Sequence, residues 1–426
     1  MNERLLQFIW QFQYFNTRSL STQEGEPLLI IHPGKWNRDQ GPDFTAAKIN
    51  VGNTTWSGNV ELHVLASDWY RHRHQHDQQY NNVILHVVWK YDLQQHNVLP
   101  HIPTFEIQPR VANILLDRYE SLMHSTCFVP CEKSIYLAKL LLWMNWKERL
   151  LAERLHRKSV LILEYLQQSK YHWEETFWWM IARNFGMPVN ADAFETMARS
   201  LPLKILVRHK QQIHQLEALL FGQAGLLHAR FTESYPLLLQ KEYLYYRKKY
   251  GLQRVTGSVK MLRMRPSSFP TVRLAQLAML IHTSDHLLQA VLEKESLKEL
   301  VALLNVTAND YWHYHYRFEQ PCAINIKRVG DDMVNNMLIN TVVPFLFAYG
   351  RYHNDQSHIQ KALRWLEEIK PEKNRITQGW KERGIESKTA FDTQALIELK
   401  ANYCDYKRCL DCAVGNVVLN RDSGKE

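Results

Sequence analysis

At 426 residues, with 45% hydrophobic and 22% charged content and only 16 Gly and 15 Pro, the chain has material for two cored domains. That composition excludes a disordered or linker-built protein. No window approaches the roughly 18 uncharged apolar residues of a membrane span. A net charge of +9 favours an anionic partner, nucleic acid foremost.

The opening "MNERLLQFIWQFQYF" is interrupted by Glu3, Gln7, Gln11 and Gln13, unlike the apolar stretch of a secretory leader. A cytoplasmic location is therefore expected. There, six cysteines point to metal, redox chemistry or packing rather than to a disulfide framework.

In chain order, Leu5, Phe8, Ile9, Phe12 and Phe15 at helical spacing predict an amphipathic helix. "PLLIIHP" reads as a short strand, "FTAAKINV" (44–51) as a second, Gly52-Asn53 as a turn and "TWSGNVELHV" as a third. A polar, His-rich stretch follows, with a short helix from Ser67. "NVILHVVWKYD" (82–92) is an apolar strand expected at the centre of the sheet, and "IPTFEIQP" (102–109) adds another. From 135 to 168 a long helical run begins. Further helical patterns occupy 173–184, 191–200, 203–220, 233–250, 273–299, 333–349, 357–369 and 392–401. The expected fold is α+β: a mixed α/β sheet domain over 1–128, then a larger all-α domain over 129–426 that carries a C-terminal cysteine cluster.

"NRDQGPDF" sets Asp43 at a strand start behind Gly41-Pro42, and Glu61 and His63 alternate on the next strand. Asp43 and Glu61 lie nearly equidistant from the Gly52-Asn53 turn. Facing residues of an antiparallel pair keep a constant index sum. A two-residue turn with regular pairing faces Asp43 toward Leu62, on the wrong side of the sheet. A three-residue turn or a bulge pairs Asp43 with Glu61 or His63 instead. Converging carboxylates need a cation, and hard oxygen ligands suit Mg²⁺ or Mn²⁺, which can polarise a phosphodiester and activate a water.

His72, His74 and His76 alternate beyond that strand. On a helix only His72 and His76 share a face, where they could grip a transition metal, with Asp68, Asp77 and Tyr80 near enough to contribute. The expectation is that His72, His76 and Asp77 supply additional ligands at the rim of the Asp43–Glu61 site. The alternative is an exposed polar connection. His86, inside an apolar strand, reads as a hydrogen-bonded core residue.

An Asp behind Gly-Pro, then an acidic-x-basic tripeptide on the next strand of an α-β-β-β-α-β layout, resembles the PD-(D/E)XK nuclease core. The resemblance covers about the first hundred residues. It implies Asp43 and Glu61 as catalytic metal ligands and puts His63 where that family carries a Lys that positions the attacking water. Over most of its length the chain also resembles an uncharacterised bacterial family, domain of unknown function 2851. The strings that carry this are "GPDFTAAKI", "GNVELHVLASDWYRH", "YNNVILHVV", "RPSSFPTVRLAQLA", "LINTVVPFLFAYG" and "YCDYKRCLDCAVG". That family implies no particular activity.

In the last string Cys404, Cys409 and Cys412 fall at a spacing suited to Zn²⁺ or an iron–sulfur cluster. The fourth ligand would be Cys127 or Cys131 of "CFVPCEK", and Cys131, at the start of the long helical run, is preferred. Some PD-(D/E)XK nucleases carry a similar clasp, in which distant cysteines close an iron–sulfur site. Cys322 reads as packing. Residues 241–278 interleave Arg247, Lys248, Lys249, Arg254, Arg263 and Arg265 with tyrosines, which suits phosphate contact and base stacking. The bland reading is a solvated helix face with tyrosines on its buried side.

The expected function is a metal-dependent, nuclease-like hydrolase of nucleic-acid phosphodiesters. The alternatives are a non-catalytic nucleic-acid-binding or scaffold protein with a degenerate core, and a metal-dependent hydrolase of another phosphorylated substrate.

Overall fold

A computed structural model describes residues 1–37, 39–93, 102–253, 255, 259–261, 265–284 and 286–420. The chain divides into two compact units, Met1–Trp146 with Leu399–Glu426, and Lys147–Glu398. The C-terminal segment thus belongs to the same unit as the N-terminal sheet, whereas the sequence reading groups it with the helices. Among the described residues no helix is long and apolar enough to cross a membrane.

The first unit opens with α1 (Glu3–Gln11), capped by the Asn2 side chain, which accepts the Leu5 N–H at 2.8 Å. Its apolar stripe buries Leu5, Leu6, Phe8, Ile9 and Trp10, and it packs on the long central strand. The sheet holds seven strands: β1 (Leu20–Ser21), β2 (Pro27–His32), β3 (Lys35–Trp36), β4 (Phe44–Val51), β5 (Thr54–Leu65), β6 (Val83–Lys90) and β7 (Thr104–Glu106). Their order is β1-β2-β4-β5-β6-β7, with β3 also paired to β4. Pairs up to β4–β5 are antiparallel, while β5–β6 and β6–β7 are parallel. The two-residue strands β1 and β3 fall below what periodicity detects. The β5–β6 crossover holds the expected short helix, α2 (Asp68–Arg71), and two 3-10 turns. β6 is buried along most of its length, which is why it is an almost unbroken apolar run.

The β4–β5 hairpin sets the site. Its turn is the two-residue Gly52-Asn53, and regular pairing runs from Val51↔Thr54 to Ala47↔Gly58. Continued, that register would turn Asp43 away from Glu61. Instead Thr45 and Ala46 together face one residue of β5, and pairing resumes at Phe44↔Val60. Ala46 holds φ at +54°, a left-handed value that a bulge accommodates. The one-residue slip puts Asp43 across from Glu61. A second irregularity, between Asn59 and Val60 on the β6 side, pairs Glu61 with His86. Gly58 makes room there: a Cβ on it would stand 2.5 Å from Ile84 Cγ2 and 2.6 Å from the Asn82 carbonyl.

After α3 (Asn113–His124), α4 (Leu140–Gln168) leads into the second unit, and a 3-10 turn at Glu132–Leu137 takes the start of the expected run. The second unit continues with α5 (Trp173–Phe185), α6 (Ala191–Ser200), α7 (Leu203–Arg208), α8 (Ile213–Gln223), α9 (Ser234–Tyr250) and α10 (Pro270–Thr283). Within it α5 packs on α6, and α8 on α9 and α10. Two expected helices are corrected. The 203–220 run is broken between α7 and α8, where His209 to Gln211 turn and Gln212 is extended. The 273–299 run is three helices, because His286 takes φ +76° and Lys294 is extended.

A candidate metal centre

Glu61 and His63 alternate on one face of β5, and His86 sits beside Glu61 on β6. They are 5%, 1% and 0% exposed, so the sheet carries a carboxyl and two imidazoles in its interior. Asp43 closes the set from the bulged strand. Its backbone N–H donates to Glu61 Oε2 at 3.0 Å, and its own Oδ2 accepts the Leu62 N–H at 3.1 Å. Gln7 of α1 donates its Nε2 to Asp43 Oδ1 at 2.7 Å. Glu61 Oε1 is thereby left facing the imidazoles, 3.6 Å from His63 Nε2 and 3.5 Å from His74 Nε2.

His72 and His74 come from the crossover. Arg73 between them holds φ +61°, which ends α2 and turns the chain back, so both rings reach the same side. His72 Nδ1 lies 3.2 Å from His63 Nε2. Tyr80 stacks on His74 with ring centroids 3.8 Å apart, and Trp69 packs edge-on against His63, His74 and His86. His63, His72 and His74 form the group whose ligand nitrogens all lie within 4.8 Å of one another. His63 and Glu61 form the buried floor, and exposed His72 the opening to solvent.

The separations match an ion's requirements. Ligands about 2.0–2.1 Å from a tetrahedral ion stand about 3.4 Å from each other. The 3.2, 3.5 and 3.6 Å edges among His63, His72, His74 and Glu61 fall around that value. His74 Nε2 is buried and has no hydrogen-bond partner. His63 Nδ1 meets His86 Nε2 at 2.9 Å, a contact that fixes the His63 ring and turns Nε2 toward the group. Three imidazoles and a carboxylate select a transition ion such as Mn²⁺ or Zn²⁺ over Mg²⁺.

Electrostatics point the same way. Burial raises both carboxyl pKa values, and the Asp43 charge lifts Glu61 further, so the pair retains a proton near neutral pH. Glu3 at the start of α1 adds negative charge to both. Burial, reinforced by the charges of the surrounding imidazoles, holds His63 down to about 2. Burial likewise holds His86 down to about 3. Neutral imidazoles beside carboxyls that cannot both ionise make a site that a cation would relieve.

The structure thus brings Asp43, Glu61, His63 and His72 together and adds His74, His86 and Gln7. His76 and Asp77 stand outside this group. His76 is exposed on the 3-10 turn His74–His76, and Asp77 accepts the Gln79 N–H at 2.9 Å as the cap of the next turn, Gln78–Tyr80. The helical pairing of His72 with His76 fails because α2 stops at Arg71. Asp68 is buried, accepts the Leu65 N–H at 3.1 Å and pairs with Arg71. Gln7 left no signal in the sequence beyond interrupting an apolar helix.

Of the basic residues, Lys248 and Lys249 are exposed in the last turn of α9 and Arg247 is half-buried, where cations also complement the helix dipole. Lys249 stands 5.4–5.9 Å from the ring centres of Tyr245, Tyr246 and Tyr250. Tyr243 and Tyr246 are buried, while Tyr245 is exposed. Arg265 is exposed, and Arg254 and Arg263 lie outside the described residues. Cys131, Cys409 and Cys412 are buried, Cys404 and Cys322 are half-buried, and Cys127 is exposed.

No curated protein and no solved structure is significantly similar to the chain. Residues 3–375 match the family described as "Protein of unknown function (DUF2851)". That span holds the whole sheet, the bulged hairpin and every imidazole of the centre, and the chain is a member of this family.

Proposed function

We propose that the protein is a metal-dependent hydrolase of nucleic-acid phosphodiesters, related in its sheet to PD-(D/E)XK nucleases. The observation that carries this is the bulge in β4, which sets Asp43 across from Glu61 at the edge of a three-imidazole group. A half-buried Asp43 and a buried Glu61 close enough for one charge to raise the other's pKa are costly unless a cation uses them.

Glu61, His63, His72 and His74 would hold the ion, which supplies a Lewis acid for a phosphoryl oxygen and a nucleophilic water at neutral pH. Asp43, fixed by Gln7 and the Leu62 N–H, is the second carboxylate and takes the proton from the attacking water. His86 orients His63. The +9 charge and the exposed Lys248, Lys249, Arg265 and Tyr245 favour a nucleic-acid substrate.

The test is cleavage of end-labelled single- and double-stranded DNA and RNA by the full chain with Mg²⁺, Mn²⁺ or Zn²⁺. Asp43→Asn and Glu61→Gln are each expected to lower the rate at least about a hundredfold. Cleavage that survives both substitutions would contradict the reading. One observation favours a second reading: four protein donors leave an ion no open position, as in structural zinc sites. Metal bound at these residues without any cleavage would select that reading.

A further inference from the structure

The helical second unit holds a cavity of about 180 Å³, lined by α4, α5 and residues 340 to 344. A void of about 150 Å³ takes a benzene-sized molecule, so this one has room for a small organic ligand. Leu161, Ile162 and Met180 make part of its wall apolar, and Lys158, Asn184 and Asn340 bring polar groups to it. Tyr165 and Arg183 line it too, but both are engaged by Glu195 Oε2, at 2.8 and 2.7 Å.

Pro344 explains the local backbone. It has no N–H for the Asn340 carbonyl four residues back, and in a regular helix its ring would crowd that oxygen. The chain widens there into a π-turn, Leu338–Val342, which carries Asn340. Such turns recur at functional sites. Two of the polar groups have capacity left over. Asn184 is 2% exposed, and its Nδ2 donates to Asn336 Oδ1 at 3.1 Å, while its Oδ1 has no partner. Lys158 Nζ donates to the neutral Asn340 Oδ1 at 2.9 Å, and among the described residues no carboxylate pairs with it. Glu398 is held instead by Arg154 at 3.3 Å and Arg157 at 2.5 Å, and Glu372 accepts from Gln394. Burial first, then the Arg154 and Arg157 charges, bring the Lys158 pKa down to about 7, against the opposing pull of Glu372 and Glu398. An amine that is partly unprotonated at neutral pH, in a partly apolar cavity, is a nucleophile toward carbonyl carbon.

We infer that this cavity binds a small aldehyde or ketone, and that Lys158 Nζ captures its carbonyl carbon as an imine. The amine adds to that carbon, and the carbonyl oxygen leaves as water with both amine hydrogens, so the step needs neither oxidant nor reductant. Asn184 Oδ1 is the acceptor available to the hydroxyl of the addition intermediate. The inference is independent of the hydrolase reading, since no residue of the metal centre takes part.

The full chain would be incubated at neutral pH with propanal and cyanoborohydride, which reduces an imine to a stable secondary amine. Digestion and mass spectrometry then map the modified lysines. Lys158 is expected to react at least about tenfold faster than the average of the other lysines, at a rate that rises through about pH 7. Lys158→Arg keeps a charge beside Asn340 but forms no imine, so it should lose the fast adduct and leave the slow ones unchanged. Leu161→Trp puts a bulkier ring at an exposed edge of the cavity and should slow Lys158 alone. Should Lys158→Arg fail to fold, the wild-type map and its pH profile decide. Lys158 reacting at the average lysine rate, a fast adduct that persists in Lys158→Arg, or Lys158 reactivity unchanged in Leu161→Trp would each overturn the inference.

Discussion

Single residues in this protein carry charge into places where charge is costly. Glu217 of α8 is the clearest case outside the metal centre. It is fully buried, its Oε2 accepts the Trp312 Nε1–H at 3.0 Å and the Tyr235 hydroxyl at 2.8 Å, and its Oε1 has no partner. Burial pushes its pKa up to about 7 from the ordinary 4.5. The folded-state value lies above the unfolded one, so the stability contribution is full below about pH 4.5 and is lost as pH rises through about 7. Glu217→Gln should therefore flatten the decline in stability between about pH 4.5 and 7, by an amount on the order of 1–3 kcal/mol. Denaturant unfolding at a series of pH values measures this, and an unchanged slope would show that Glu217 stays ionised. The sequence does not announce Glu217, because one acidic residue in a helix looks the same whether it faces water or Trp312. For the same reason His86 was legible only as a core histidine; that it orients His63 depends on the register of two strands.

At the level of elements, the hairpin shows how far pattern reading extends. Alternation in "FTAAKINV" and "TWSGNVELHV" and the Gly-Asn turn locate β4 and β5 correctly. Regular pairing across that turn would have turned Asp43 to the wrong face. The bulge that corrects it rests on Ala46 at positive φ, where a Gly or Asn would have been the recognisable signal. Likewise, His72 and His74 share a side only because Arg73 adopts a left-handed conformation that arginine seldom takes. Deleting Ala46 should remove the bulge and leave Asp43 across from Glu61 in an even register, so the circular dichroism of the fold and metal binding at Glu61 should both persist. Loss of metal affinity with the fold intact would mean that the site needs the bulged backbone itself and not only this register. The polar stretch from 203 to 220 reads as one helix for a related reason: periodicity survives a break that keeps the apolar phase.

For the whole molecule, the longer strands and the helical second unit follow from apolar runs and their lengths, whereas the strand order and the parallel β5–β6 pair are seen in the structure alone. The return of the last residues to the sheet-bearing unit does not follow either, since helical periodicity carries no record of which unit a helix joins. That return puts Cys404, Cys409 and Cys412 in the same unit as Cys131. The central claim is that Glu61, His63, His72 and His74 form one cation site. Calorimetric titration of the full chain with Mn²⁺, comparing wild type with Glu61→Gln, His72→Ala and His76→Ala, tests it most directly. Glu61→Gln and His72→Ala should each weaken binding at least about tenfold, with His76→Ala within about twofold of wild type. Equal affinity in all four proteins, or a loss confined to His76→Ala, would contradict the account.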